Sequence, residues 1–168
     1  GSVIEMADAR DEDSIIVLLP PADDDFSSLL IHGAHEEGSV QVTKDSAVSG
    51  TVLELLDPAT CVEFQCKANC RYLTLHLEHV ESFCGVEVEM IDTDGATRSL
   101  AASNNQSIVR SKHEECSVPL SLVRGWNNVC LDLEAMTDKA FGCTLASVRR
   151  VIVHARCRLW HVFLHNRQ

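Results

Sequence analysis

In the run "YLTLHLEHV", residues 72–80, Leu73, Leu75 and Leu77 alternate with Tyr72, Thr74, His76 and Glu78. A period of two sends the leucines to one face of an extended strand and the polar side chains to the other, a division no helix can make. Residues 86–91 repeat the pattern, and "DTDG" turns the chain into residues 97–102. Further short runs occupy 15–19 (stopped by Pro20 and Pro21), 51–56 and 61–65 (around the turn "DPAT"), 108–110, 116–120 and 126–133. Residues 29–32 and 39–43 flank "GAHEEG" and predict a hairpin. Residues 135–141, closed by Gly142, are the one credible short helix. Ten or so short strands separated by turns predict an all-β jelly roll or β-sandwich with one short helix near 135–141. Its core should include Leu73, Leu75, Leu77, Val129, Leu131 and Val153.

The stretch "VRRVIVHARCRLWHVFLHNR", residues 148–167, spaces His154, Cys157, His161 and His165 by three, four and four. On an α-helix that spacing would stack a zinc site on one face. At about 100° per residue, however, Arg156 would fall among Ile152, Val153, Trp160, Phe163 and Leu164, with Arg149 beside it. Such a helix buries two guanidinium groups. Read as strands, Val151, Val153 and Ala155 face one way and Arg150, Ile152 and His154 the other. Beyond a polar corner at 156–158, Trp160, Val162 and Leu164 alternate with Leu159, His161, Phe163 and His165. The β-branched and aromatic content favours strands, joined as a hairpin. Zinc then rests on His161 and His165, which a strand keeps on one face, and no metal or cofactor is expected.

A chain of 168 residues suits a single domain with a real core. Its charge is uneven. Residues 1–60 hold thirteen acids against Arg10 and Lys44, whereas 61–168 balance twelve acids with twelve bases. Residues 1–25 are expected to be an acidic, disordered leader, with Gly1-Ser2 a tag remnant on an excised fragment, and 26–168 the β-sandwich. A balance of −11 excludes nucleic acid as a natural partner. No apolar run approaches membrane-spanning length, and none has the form of a secretory signal. The eight cysteines include no C-x-x-C pair, and several lie within strand-like runs, so free thiols in a cytosolic setting are expected.

Motifs of catalysis are missing from the sequence: no G-x-S-x-G, H-E-x-x-H or phosphate loop occurs. "CVEFQCKANC", with Cys61, Cys66 and Cys70, is the one spacing that merits a metal test, and metal-assisted hydrolysis would need a tetrahedral His/Cys cluster. His76 and His79 face opposite ways on a strand. In "SNNQS", Asn104 and Gln106 are either a recognition loop or a brace for their own backbone. Trp126 is either a ligand platform or core. Residues 141–168 carry Arg149, Arg150, Arg156, Arg158 and Arg167 with no acid. These are candidate partner-binding charges, or charges that neutralise the acidic leader within the same molecule.

Together, "AASNNQS", Pro119-Leu120, Gly125-Trp126-Asn127, Asp132-Leu133, Phe141-Gly142, Ile152, His154-Ala155 and Cys157-Arg158 carry a resemblance. They are similar to the cilia- and flagella-associated protein 20 family over the C-terminal part of the chain. The resemblance implies a jelly roll shaped like a carbohydrate-binding module, with no enzymatic role. It also implies a structural part in the cilium, flagellum or centriole, cytosolic and cytoskeletal, at the axoneme or basal body. The implied partners are tubulin and microtubules, or another axonemal or basal-body protein. The acidic balance departs from a basic namesake and implies a divergent paralogue. A glycan-binding jelly roll is the alternative, and the scarcity of aromatic residues, two Trp and one Tyr, argues against it.

Overall fold

The computed structural model describes residues 10–33 and 38–168, which form two packed β-sheets. In chain order the strands are β1 (Ile15–Leu19), β2 (Leu30–His32), β3 (Val40–Asp45), β4 (Gly50–Leu55), β5 (Cys61–Ala68) and β6 (Tyr72–His79). Then follow β7 (Gly85–Asp92), β8 (Thr97–Ser103), β9 (Arg110–Ser111), β10 (Glu115–Pro119) and β11 (Gly125–Asp132). Helix α1 (Leu133–Phe141) leads to β12 (Leu145–His154) and β13 (Cys157–His165). One sheet has the order β11-β6-β13-β4-β3, with β1 also paired to β13; the other runs β2-β5-β12-β7-β8-β10-β9. All pairings are antiparallel except β10 with β8. The domain is a jelly-roll β-sandwich.

Period-two burial builds the layers. Leu73, Leu75 and Leu77 of β6 face Val86, Val88, Val151 and Val153 of the other sheet within one buried cluster. Val129 and Leu131, on the edge strand β11, pack against that cluster while keeping part of their surface open. The β7–β8 turn owes its shape to Asp92, whose Oδ1 accepts from the backbone N–H of Asp94 and Ala96 (both 2.9 Å), and to Gly95 at φ 85°. Helix α1 begins two residues before the expected start because Asp132 caps it, accepting from the Ala135 N–H. Gly142, at φ 65°, ends it as expected. Among the described residues no helix is long and apolar enough to cross a membrane.

Three expectations need correction. Residues 29–32 and 39–43 do not pair: β2 joins β5 in one sheet and β3 joins β4 in the other, so the chain between them changes layers. The strands β12 and β13 are likewise no hairpin, since β12 lies between β5 and β7 and β13 between β6 and β4. Residues 10–25 are not a detached leader. Ile15–Leu19 pair with β13, and Arg10 donates to Asn69 Oδ1, to Glu134 Oε1 and to the Leu145 carbonyl. The first nine residues lie outside the described part.

A β-bulge explains a fourth discrepancy. On β13, Leu159 pairs with Leu77 and His161 with His76, leaving Trp160 as an extra residue. Leu159 therefore turns into the core, and Trp160 joins His161, Phe163 and His165 on the outer face. The sequence alternation had placed Leu159 and Trp160 the other way round.

Candidate functional site

The expected electropositive end is largely neutralised by acids on neighbouring strands. Arg158 stands opposite Glu54 of β4 and Glu78 of β6, with its guanidinium 3.2 Å from Glu78 and 3.6 Å from Glu54, and it also donates to Asp45. Hydrogen bonding to Arg158 holds the Asp45 carboxyl below its ordinary value. Arg150 reaches Glu89 at 2.9 Å and Glu63 at 3.5 Å. Arg167 bonds Asp13 at 2.8 Å. Arg149 is the extra residue of a bulge in β12, and its Nε is buried with no hydrogen-bond partner among the described residues. Arg156 alone of the five is exposed with no carboxylate within 4.0 Å among the described residues.

Asn104 serves as the brace of the two readings. Its Oδ1 accepts from the Cys84 N–H at 3.0 Å, and its Nδ2 donates to the Ser82 carbonyl at 2.8 Å and reaches His79 Nε2 at 3.2 Å. Gln106 donates to the Ile108 carbonyl. Arg156 is fixed from the other side of the same loop, its N–H bonded to the Phe83 carbonyl. The sandwich therefore brings Asn104 and Arg156 together about residues 82–84, at the end where β6 and β12 finish and β7, β11 and β13 start. Three large apolar side chains are open there: Val80 (39%), Phe83 (43%) and Val123 (68%), with Arg124 nearby and 3.3 Å from Glu81. This end is the candidate docking surface. Phe83 and Val123 gave no sequence signal, because an isolated apolar residue in a loop carries no periodicity.

The histidines and cysteines do not assemble. His154 lies 3.4 Å from Glu87, His165 bonds Thr74 at 2.7 Å, and His161 Nδ1 meets His76 Nδ1 at 3.1 Å. Among the described residues no group of three His, Cys, Asp or Glu is arranged to hold a metal. All eight cysteines are free. Burial pushes the Cys66 and Cys84 thiols up to about 11 and the Cys157 thiol higher still, so they hold their protons at neutral pH. On the folded protein, iodoacetamide should label exposed Cys130 first and buried Cys157 last, with all eight labelled after denaturation without reductant. Peptide mapping by mass spectrometry checks the order; early labelling of Cys157 would contradict the packing of β13.

Trp126 lies on the outer face of the first sheet, with the Arg158 guanidinium 5.9 Å from its ring centre. Trp160 stacks on His161 at 4.0 Å between ring centres, and a Cβ at Gly50 would fall 2.6 Å from its Nε1. Gly50 is the residue that lets this indole lie against β4.

Fold and surface together define a jelly-roll module whose polar strand faces are mostly paired internally and whose loop end is left open. The family model for the CFA20 domain matches residues 25–168, and the chain belongs to that family, one of cilia- and flagella-associated proteins. It is 27% identical over 139 residues to cilia- and flagella-associated protein 20 of Chlamydomonas reinhardtii, covering 77% of this chain and 73% of that one. To its counterpart in Paramecium tetraurelia it is 25% identical over 141 residues, covering 79% and 74%. Among solved structures, a family 6 carbohydrate-binding module of Clostridium stercorarium in complex with cellobiose aligns over 92% of this chain and 94% of that one. The TM-score is 0.43 and the identity 8%, and no functional point rests on that likeness.

Proposed function

We propose that this chain is a non-catalytic structural module of the cilium or flagellum. It docks on doublet or triplet microtubules, or on proteins bound to them, at the axoneme or basal body. The observation that carries the reading is the loop end, where Val80, Phe83 and Val123 are exposed around Arg156, which has no carboxylate within 4.0 Å among the described residues. An apolar patch beside an exposed guanidinium is the composition of a protein-binding centre. Membership of the CFA20 family supports the ciliary setting. Thiols held protonated by burial support a role without nucleophilic chemistry.

Of the two expected partner classes, another axonemal or basal-body protein has better support than bare tubulin. Arg150, Arg158 and Arg167 are committed to this chain's own acids, and the sequence carries −11. A strongly acidic surface would meet chiefly Arg156 and Arg124. A glycan platform has less support, since both indoles are covered on at least one side by Arg158 or His161.

The test is localisation of the tagged full-length protein in ciliated cells, with a Phe83→Ser/Arg156→Glu variant beside it. The wild type should concentrate at the axoneme or basal body and the variant should be diffuse, with the purified proteins melting alike. A wild type found elsewhere, or a variant that localises normally, would overturn the reading.

A further inference from the structure

Away from the loop end, the outer face of the six-stranded sheet carries a groove of about 530 Å³. Phe163 and His76 form part of its lining, Asn128 and Cys130 of β11 lie along one side, and Ile15 of β1 along the other. In register, Ile15 stands opposite His165 and Val17 opposite Phe163, so both β-branched side chains project from this face. They are 62% and 55% exposed. Side by side with Phe163 they make an apolar strip on a surface where a solitary monomer gains nothing from one.

Carboxylates outnumber cations around the strip. Glu12 and Asp13 stand at the groove's rim, and Asp45, Glu54 and Glu78 lie further along the same face. Among the described residues only Arg158 and Arg167 oppose these five carboxylates, and both are already paired with them. Burial lowers His76 and His161 alike from their ordinary value, which keeps these two rings from adding positive charge at neutral pH.

We propose that this groove binds an extended basic segment of a partner protein, with an aliphatic or aromatic anchor over Ile15, Val17 and Phe163 and flanking Lys or Arg against the acidic rim. The apolar strip supplies the burial that makes such a contact stable. The excess of carboxylates selects a cationic partner and rejects an acidic one. This surface is separate from the loop end and of opposite charge preference. A module with both can join two different partners, and the groove does not depend on the docking role assigned to Arg156.

Cys130 makes the test site-specific, because an exposed thiol in the groove wall reports occupancy directly. Three synthetic peptides are titrated into the full chain: Lys-Leu-Lys-Phe-Lys, its Glu-for-Lys counterpart, and Lys-Ser-Lys-Ser-Lys. Binding is read by fluorescence anisotropy and by the rate of Cys130 alkylation. The first peptide should bind and slow the alkylation of Cys130. It should bind about tenfold or more weakly to an Ile15→Lys/Val17→Lys variant, weaken with added salt, and be unaffected by Arg156→Glu. Equal binding of the acidic peptide or of the lysine-serine peptide would overturn the proposal, as would an affinity indifferent to the variant. A wild-type dimer that the variant disperses, without peptide binding, would also overturn it and give the strip to a second copy of the chain.

Discussion

Replacing Leu75 with alanine should lower the free energy of unfolding by about 3–4 kcal/mol. Leu75 is wholly inaccessible to solvent, on a strand flanked by β11 and β13, with Val129 and Val162 as its register partners. Truncation removes buried apolar surface and leaves a cavity that β6, hydrogen-bonded to β11 on one side and β13 on the other, cannot shift to fill. A small gap already lies beside it, between Leu75, Val86, Val129 and Val153, with no room for water. The new space would merge with that gap and stay dry. In a domain of this size the loss corresponds to a fall in melting temperature of roughly 6–16 °C. Urea or thermal denaturation reads it, with Val42→Ala as the control, since Val42 is 49% exposed at an edge strand. A loss below about 1 kcal/mol would mean that the sheets are not packed at this point.

Arg158→Ala should cost about 2 kcal/mol or more at pH 7, somewhat less than a fully buried pair because one side of the cluster is wet. The arginine side chain is 17% exposed, and its removal leaves Asp45, Glu54 and Glu78 facing one another without a counter-charge. Acid should narrow the difference. In the wild type the Asp45 carboxyl is held below its ordinary 3.8 by the hydrogen bond to Arg158. Its contribution is complete above that value and disappears as pH falls through the folded one. In the variant, protonating the crowded carboxylates relieves repulsion over the same range. Denaturation at pH 7 and at pH 2.5, below the ordinary carboxyl value, measures both arms, and a deficit that grows with acidification would contradict the geometry. Arg158 is therefore a fold residue. Reversing its charge would disturb the sandwich, and the cleaner probe of partner binding is Arg156.

The strands were legible because burial on one face of a sheet leaves a two-residue rhythm, and residues 72–80 and 86–91 keep it without interruption. Helix α1 was legible at its Gly142 end, where the backbone needs a residue that tolerates positive φ. Partnership between strands was not. The same turn residues serve a hairpin and a crossing between layers, so β2 and β3 were paired with each other, and so were β12 and β13. The bulge at Trp160 adds one residue and shifts the rhythm by a step, which no count along the chain detects. Charge suffered most. Arg150 and Arg158 looked unopposed among their sequence neighbours, yet their counter-ions come from β3, β4, β5, β6 and β7, up to 113 positions away. Electrostatics in a sheet is a cross-strand property.

The corner at Ala155 and Arg156, where the chain leaves one sheet and enters the other, has a consequence for assembly. The last two strands sit in the interior of their sheets, each flanked by partners made much earlier. While the polypeptide lacks them, β5 and β7 have nothing between them in one layer, nor β6 and β4 in the other. The order of synthesis thus runs against the order of pairing. A nascent chain must carry two half-built sheets, with apolar faces and open edges, until β12 and β13 are released. Folding that waits on such distant contacts is slow and exposed to misassociation. The twenty or so residues that close this domain act as a double keystone.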